Sequence, residues 1–254
     1  MLKKRVKFFS LVSILLLGTF STSACAHKKD KKIPSKSFAK VYKIINVKKC
    51  KEESKNCQVS NIGTSGSALA VFKFNEKTLF LSASHVCDSN IPEVIMRESE
   101  DVEVKFLVQL YDSHWHLAKI VKTTDIQETG LDLCLLEVKL QDPKIKAVPI
   151  SRTPPEVGDQ IYSIGSPVGI YHPPSVPIFS GIYSGPIYRG NVSLTTIPAI
   201  GGSSGSAVLN QNLEVIGVLF ATHPEFPFVS IITNQRETRK FVYDYILSVA
   251  KKKR

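Results

Sequence analysis

From about residue 40 onward, short runs of apolar residues, or of alternating apolar and polar residues, recur along the chain. Gly, Pro, Asn and Asp separate these runs, and such turn residues commonly join short β-strands. Many short strands with turn signals between them are typical of an all-β sandwich or barrel. The runs predict strands at 68–74, 78–83, 103–111, 117–123, 131–138, 160–164, 178–183, 192–197, 206–209, 215–221 and 228–232.

One helix is predicted close to the C-terminal end of the sequence. Asn234 is a suitable N-cap, and Glu237 follows it at the spacing of a capping box. The apolar residues after it fall on one face at helical spacing and predict a helix packed on the β-structure: Phe241, Val242, Tyr245, Ile246 and Val249. Upstream, four prolines between residues 143 and 155 mark a connector between two halves of the chain.

The first 26 residues have the pattern of an export signal. A basic start precedes an apolar run from Phe8 to Phe20, whose 13 residues are few for a permanent membrane-spanning helix. The sequence is compatible with two cleavage sites: one after Ala26, and one before Cys25 with a lipid on its thiol. We favour the lipoprotein signal because Cys is otherwise uncommon at a cleavage site, although Thr22 stands where such signals usually have Leu. The sequence therefore predicts an exported protein of the periplasm or cell envelope, attached to a membrane in the second case.

The formal net charge of +11 lies mostly at the two ends of the 254-residue chain. Residues 1–39 hold nine Lys or Arg and one acidic residue, and residues 251–254 add four basic side chains. Residues 40–250 therefore carry a charge of only −1, so a nucleic-acid surface is not expected. The polar, basic stretch 27–39 is predicted to be a flexible linker.

Cysteine usage fits an oxidising compartment. Apart from Cys25, the chain has an even number of cysteines, and the four allow three pairings: Cys50, Cys57, Cys87 and Cys134. We favour a bridge from Cys50 to Cys57 across a short polar stretch. The sequence has no Cys-x-x-Cys, and the pair His114 and His116 has no acidic or cysteine neighbour, so no metal and no cofactor are expected.

A glycine- and serine-rich segment at 201–206 has the pattern of a nucleophile loop. Acyl transfer needs an exposed hydroxyl with backbone N–H groups nearby that can hold an oxyanion. Of the three serines in this segment, only Ser204 has a glycine two residues before it and another directly after it. Glycine at these two places allows the backbone to turn and the substrate to approach.

A serine nucleophile needs a base and an acceptor that orients the base. His85 follows a predicted strand that ends in small residues, and Asp132 begins an otherwise apolar strand, where an unpaired carboxylate is costly. The three residues occur in the order His, Asp, Ser, separated by 47 and 72 residues. This combination indicates a catalytic triad of His85, Asp132 and Ser204.

At this point the chain resembles the chymotrypsin-type serine proteases, and among them the protease domain of the Deg/HtrA-type bacterial proteases. The segments that carry the resemblance are 63–67, 84–86, 132–136, 158–169, 180–182 and 204–217. The resemblance implies an all-β fold of two six-stranded antiparallel barrels with a C-terminal helix. The N-terminal barrel would span 40–142 and hold His85 and Asp132, the C-terminal barrel 143–232 and hold Ser204, and residues 233–254 would form the helix and a basic tail.

The resemblance also implies roles for further residues. The N–H groups of Gly202 and Ser204 would form the oxyanion hole, and the substrate would be a protein or peptide. The specificity pocket would lie near Thr196, Phe220, Thr222 and His223. No acidic residue occurs in 196–201, so a preference for Lys or Arg is not expected and a small or apolar side chain is favoured.

In this family's geometry, Cys87 and Cys134 would lie close together, because each follows a catalytic residue by two positions. We therefore predict a disulfide between them, with two buried free thiols as the alternative. Two departures from the family pattern are Ser206, where a glycine is usual, and Ser203, where the Deg/HtrA group has Asn. The sequence ends 50 residues after Ser204, so no peptide-binding PDZ domain is expected.

Two other classes of function fit the sequence less well. A non-catalytic or latent binding protein of the cell envelope with the same fold usually loses a triad residue, whereas all three are present here. An esterase usually carries Gly-x-Ser-x-Gly with the order Ser, Asp, His, and the sequence has neither feature. The sequence therefore favours an exported serine endopeptidase.

Overall fold

The computed structural model describes residues 32–50, 57–91, 96, 101–187 and 190–251. The expected signal peptide, Cys25 and most of the basic linker lie outside the described residues, as do residues 252–254 of the basic tail. Within the described ranges, no helix is long and apolar enough to cross a membrane.

The first half of the described chain forms a closed antiparallel barrel in the strand order β1-β2-β3-β6-β5-β4. Its strands are β1 (Phe38–Cys50), β2 (Cys57–Phe74), β3 (Lys77–Ser82), β4 (Asp101–Gln109), β5 (Trp115–Thr123) and β6 (Cys134–Lys139). Between them lie a short 3₁₀ turn at Ser84–Val86 and a one-turn helix, α1 (Ile126–Thr129). Alternate residues of these strands point inward, and the buried centre includes Val41, Phe80, Phe106 and Leu136.

The second half forms another closed antiparallel barrel, in the order β10-β11-β12-β9-β8-β7. Its strands are β7 (Gln160–Ile164), β8 (Ile178–Pro186), β9 (Val192–Thr195), β10 (Ala207–Leu209), β11 (Val215–His223) and β12 (Phe226–Thr233). A 3₁₀ turn at Pro167–Gly169 follows β7. The core of this barrel includes Ile161, Tyr183, Ile216 and Ile232. The predicted fold of two six-stranded barrels with a C-terminal helix is confirmed.

The start of the first barrel differs from the sequence prediction. Strand β1 was not among the predicted strands, because its apolar and polar residues do not alternate cleanly: Lys43 interrupts the inward-facing row, and Tyr42 and Ile44 lie on the other face. It begins at Phe38, within the stretch expected to be linker, and Phe38 and Ala39 are fully buried. The linker predicted to end at residue 39 was therefore wrong at that end. A 3₁₀ turn at Ser35–Ser37 precedes β1, and Phe38 packs edge to face on Tyr171 with ring centres 5.0 Å apart.

The C-terminal helix, α2 (Gln235–Lys251), packs where the two barrels meet. Asn234 Oδ1 accepts the N–H of Glu237 at 3.0 Å, as predicted for the N-cap. In a capping box the N–H of the cap residue would donate to the Glu237 side chain. Here the Asn234 N–H donates to the carbonyl of Asn191 instead. Phe241 and Val242 are buried in a cluster with residues of both barrels. Lys122 on β5 donates from Nζ to the Phe241 carbonyl at 2.8 Å, which joins the helix to the first barrel.

Candidate active site

His85 stands at the end of a buried strand of the first barrel. Strand β3 is almost wholly buried, and the chain leaves it through Ala83 into the 3₁₀ turn that carries His85. The strand fixes the backbone, whereas the imidazole is 46% exposed. This placement gives a rigidly supported ring that faces solvent.

Asp132 contacts His85 with both of its carboxylate oxygens. Its Oδ2 lies 2.6 Å from His85 Nδ1, and its Oδ1 accepts the backbone N–H of His85 at 3.0 Å. The Thr124 hydroxyl holds the segment around Asp132, because it donates to the Leu131 carbonyl and accepts the Leu133 N–H. Only 2% of Asp132 is exposed. The hydrogen bonds from His85 therefore offset the free-energy cost of burying this carboxylate, as the sequence predicted.

The environment keeps the Asp132 carboxyl ionised. Burial alone raises its pKa, but the hydrogen bonds from His85 and Ser84 and the charge of His85 outweigh burial, so the pKa lies below its ordinary value. An ionised carboxylate can only accept hydrogen bonds, so the His85 Nδ1 carries a proton. In the neutral ring, Nε2 is then the nitrogen that can take a proton from another group.

A disulfide joins Cys87 and Cys134, as the family resemblance predicted, with Cα atoms 6.4 Å apart. Both residues belong to the buried core of the first barrel. The bridge connects the segment after His85 to the segment after Asp132. The backbone register places Cys50 directly opposite Cys57, but their side chains lie outside the described part of the structure, so that disulfide stays a prediction.

The three serines of the nucleophile loop differ in accessibility. Ser203 is 3% exposed and its Oγ accepts the Ile200 N–H at 3.3 Å, and Ser206 is 1% exposed. Ser204 is only half-buried. The structure therefore leaves Ser204 as the accessible hydroxyl of this loop, in agreement with the glycine pattern around it.

Ser204 and the turn that carries His85 meet at Gly66 of strand β2. A Cβ added at Gly66 would lie 2.6 Å from Val86 Cγ1 and 3.2 Å from the Ser204 carbonyl oxygen. The neighbouring residue, Ser67, donates its N–H to the same carbonyl at 2.8 Å. Strand β2 of the first barrel thus holds the nucleophile loop of the second barrel beside the turn that carries the histidine.

The two N–H groups predicted to form the oxyanion hole, those of Gly202 and Ser204, make no hydrogen bond within the described residues. Both belong to peptides whose carbonyls are held elsewhere: the Gly201 carbonyl accepts the Val168 N–H at 2.6 Å, and the Ser203 carbonyl accepts the Ser206 N–H at 3.0 Å. Because N–H and C=O point in opposite directions across a planar trans peptide, each held carbonyl orients the N–H of its own peptide.

Glycine is required at position 202. Its φ is +89°, a conformation that other residues rarely adopt, and an added Cβ would collide with the Ser166 carbonyl. The glycine therefore allows the loop to pack against the 3₁₀ turn that follows β7.

The four residues predicted to line the specificity pocket make mainly local contacts. The Thr196 hydroxyl accepts the Ile182 N–H at 2.8 Å, and the Thr222 hydroxyl donates to the Val229 carbonyl at 2.8 Å. His223 lies at the turn between β11 and β12, where its Nδ1 accepts the Glu225 N–H at 3.3 Å. Phe220 packs against the cluster between the barrels. These contacts do not bring the four side chains together, and the pocket stays a prediction.

Two buried serines that the sequence analysis did not single out contact the nucleophile loop. Ser67 and Ser166 have no exposed side-chain surface. Ser67 Oγ donates to the Gly202 carbonyl at 2.9 Å and accepts the Ser166 N–H at 2.9 Å. Both serines lie in segments that carry the family resemblance, which is the one signal in the sequence that marks them.

No group of three or more His, Cys, Asp or Glu side chains within the described ranges could hold a metal ion.

The chemistry of the site lies in an accessible serine, a histidine with one ring nitrogen held by a carboxylate, and two unpaired backbone N–H groups. Together with two closed six-stranded barrels, this arrangement defines the class of serine-type endopeptidases.

A comparison of the sequence with models of protein families gives the same class of protein. Residues 66–218 match the model of the trypsin-like peptidase domain, which covers more than half of the chain. The chain therefore belongs to the trypsin-like peptidase family. A search of curated protein sequences finds no match.

Solved structures with the same fold include HtrA-type proteases. A serine endoprotease from Yersinia pestis is 18% identical, with a TM-score of 0.56, and the match covers 83% of this chain and 62% of that one. The HtrA-type protease AlgW with a decapeptide is 19% identical, with a TM-score of 0.63 and coverages of 84% and 65%. The chain thus spans less than two thirds of each of these proteins, and the likeness is one of fold.

Proposed function

We propose that this chain is an exported serine endopeptidase that cleaves peptide bonds through a triad of His85, Asp132 and Ser204. The observation that carries the proposal is the pairing of His85 with a buried carboxylate at 2.6 Å, in a turn that meets the loop of the accessible Ser204 at Gly66. Membership of the trypsin-like peptidase family supports the same chemistry.

In the first half of the reaction, Ser204 Oγ attacks the carbonyl carbon of the scissile bond. His85 Nε2 takes the hydroxyl proton, since Nδ1 is already occupied by Asp132. The negative charge of Asp132 stabilises the imidazolium that forms. His85 then gives the proton to the leaving amine, which departs and leaves an acyl group on Ser204.

In the second half, water replaces the amine. His85 takes a proton from the water as its oxygen attacks the acyl carbon, and then returns the proton to Ser204 Oγ as the acid product leaves. The N–H groups of Gly202 and Ser204 are proposed to hold the oxyanion formed in both halves. Removal of one such donor typically costs about 3 kcal/mol of transition-state stabilisation.

The proposed substrate is a protein or peptide. One structural neighbour is an HtrA-type protease with a bound decapeptide, which supports a peptide substrate for this chain as well. The segment 196–201 offers no acidic side chain to pair with Lys or Arg, so we propose a small or apolar residue on the amino side of the cleaved bond.

Export of this enzyme through residues 1–26 is also part of the proposal. The basic start, the short apolar run and the small residues before Cys25 support it. Lipid on Cys25 would attach the enzyme to a membrane of the cell envelope. Labelled palmitate should enter the wild-type chain and not the Cys25→Ala variant, whereas labelling of both would contradict this attachment.

The experiment for the catalytic proposal is hydrolysis of a mixed peptide library by the purified domain without residues 1–26. The wild type should cleave the library, and Ser204→Ala and His85→Ala should lower the rate by roughly 10³-fold or more. Ser193→Ala is the matched control, because this serine is fully buried in the second barrel and bonded to the Tyr183 hydroxyl. A folded wild type with no activity, or an active Ser204→Ala variant, would contradict the proposal.

A further inference from the structure

Ser67 contacts the nucleophile loop at the carbonyls of both residues that carry the proposed oxyanion donors. Its side-chain Oγ donates to the carbonyl of Gly202 at 2.9 Å, and its backbone N–H donates to the carbonyl of Ser204 at 2.8 Å. Gly202 and Ser204 are the two residues whose N–H groups are proposed to hold the oxyanion. A single residue of the first barrel therefore contacts both residues of the second barrel that carry the proposed donors, with one contact on each side of the Ser204 N–H.

The hydrogens of the two buried hydroxyls have distinct acceptors. Ser166 Oγ lies 3.1 Å from the Gly66 carbonyl, 3.2 Å from Ser67 Oγ and 3.5 Å from the Gly202 carbonyl, so its nearest acceptor is the Gly66 carbonyl. Ser67 Oγ accepts the Ser166 N–H, so its own proton is free for the Gly202 carbonyl. Each hydroxyl has one proton, and this assignment satisfies both without conflict.

The Gly202 carbonyl depends on Ser67 for its hydrogen bond. Without that hydroxyl, a partly buried carbonyl keeps only the long contact with Ser166. An unpaired buried carbonyl is costly, and rotation of its own Gly202–Ser203 peptide is the direct way to relieve the cost. The bond that then still opposes this rotation is the one from the Ser203 N–H to the Ile200 carbonyl, at 2.9 Å. Glycine at position 202 makes such rotation easy, because it has no Cβ to oppose it.

Strand β2 holds Ser67 firmly enough to act on the loop. Ser67 has no exposed surface, and its own carbonyl accepts the Ser82 hydroxyl at 2.8 Å. Its backbone is paired with Lys40 of β1 in the sheet. The loop, by contrast, is irregular and contains two glycines at positive φ. The rigid partner in this contact is therefore the first barrel.

We propose that Ser67 is a positioning residue: its hydroxyl holds the Gly202 carbonyl, and with it the Gly202–Ser203 peptide. This peptide lies between the two peptides that carry the Gly202 and Ser204 N–H groups, so holding it keeps both N–H groups in the orientation that binds the oxyanion. This proposal rests on the proposed function. It assigns to the first barrel a part in shaping a catalytic element that belongs entirely to the second, in addition to its supply of His85 and Asp132.

The test is the kinetics of Ser67→Ala on a peptide that the wild type cleaves. A misplaced oxyanion hole weakens the transition state more than the ground state, so kcat should fall about 10- to 100-fold while KM changes less than about threefold. The rate of labelling by a fluorophosphonate should fall in parallel, because the phosphonyl oxygen occupies the same hole. Ser67→Cys has a somewhat larger side chain that keeps a weaker donor, and it should show a smaller fall in kcat.

Ser193→Ala again is the matched control, since it loses an equally buried hydroxyl bond outside the loop. It should lower the melting temperature. It should leave kcat within about twofold, because the lost hydrogen bond does not contact the reacting groups. A folded Ser67→Ala variant that keeps the wild-type kcat would overturn the positioning role alone. A folded wild type that neither cleaves peptides nor reacts with the probe would overturn the proposed function, and the positioning role with it.

Discussion

Asp132 binds His85 at two points, the ring Nδ1 at 2.6 Å and the backbone N–H at 3.0 Å. The first contact fixes which ring nitrogen carries the proton, and the second fixes the carboxylate against the turn that carries the histidine. The imidazole is nearly half exposed, so the packing around it does not orient it. Its orientation depends on this carboxylate.

Asp132→Asn should leave the fold intact and lower kcat by roughly 10⁴-fold. The amide can present its NH₂ to Nδ1, which then becomes the acceptor and leaves the proton on Nε2, where it cannot receive another from Ser204. The measurement is steady-state hydrolysis of a peptide substrate. Asp159→Asn is the control, because this carboxylate accepts the Glu156 N–H in a turn of the second barrel and lies outside the site. A variant at Asp132 with more than a tenth of wild-type kcat would contradict this role.

The depressed pKa of Asp132 makes a prediction about acid stability. Because the pKa of this carboxyl is lower in the folded protein than in the unfolded chain, its contribution to stability is complete above its ordinary value of about 4 and is lost as the pH falls through the folded value. The free energy of unfolding of the wild type should therefore fall more steeply than that of Asp132→Asn between about pH 5 and pH 2. Urea titrations at several pH values measure this, and parallel curves for the two proteins would argue against a depressed pKa.

The Cys87–Cys134 disulfide should stabilise the fold by about 2–4 kcal/mol, because it closes a loop with a sequence separation of 47 residues. The Cys87→Ala and Cys134→Ala double variant should unfold at a correspondingly lower denaturant concentration. A phosphine reductant should lower the midpoint of the wild type and leave that of the double variant unchanged. Two free thiols in the oxidised, folded wild type would show that the bridge does not form.

Gly165 and Ser206 share one space in the second barrel. A Cβ added at Gly165 would collide with Ser206 Oγ, whereas the nearest atom of any other residue that it would meet, Ser67 Oγ, is at an ordinary 3.5 Å. Gly165→Ala should therefore destabilise the protein by about 1–3 kcal/mol, and Ser206→Gly in the same chain should recover most of this loss. A double-mutant cycle from denaturant unfolding gives the coupling. Additive effects of the two substitutions would mean that the side chains do not meet.

The elements that local patterns determine were the ones that the sequence predicted best. The helix over Gln235–Lys251 follows from its cap at Asn234 and its apolar face, and most strands follow from short apolar runs between turn residues. Strand β1 was missed because lysines interrupt its apolar residues. Those residues are buried by a barrel that closes when β1 pairs with β4, which lies far along the chain, so no local pattern predicts their burial.

At the site, the residues that carry charge or nucleophilic chemistry were easier to find than those that position them. His85, Asp132 and Ser204 stand in distinctive contexts, and the pairing of the first two is now visible as a hydrogen bond. Ser67 and Ser166 are ordinary buried serines in the sequence. Their importance arises from a contact across 99 residues, which only the meeting of the two barrels creates.

The most direct test of the central claim is to locate the site of reaction with a fluorophosphonate probe by peptide mass spectrometry of the folded, disulfide-bonded domain. An activated serine forms a phosphonyl ester, and the mass increment should fall on Ser204 alone and disappear in Ser204→Ala. The adjacent serines at 203 and 206 are buried and serve as internal controls within the same peptide. An adduct on either of them, or no adduct at all on the folded wild type, would contradict the assignment of Ser204 as the nucleophile.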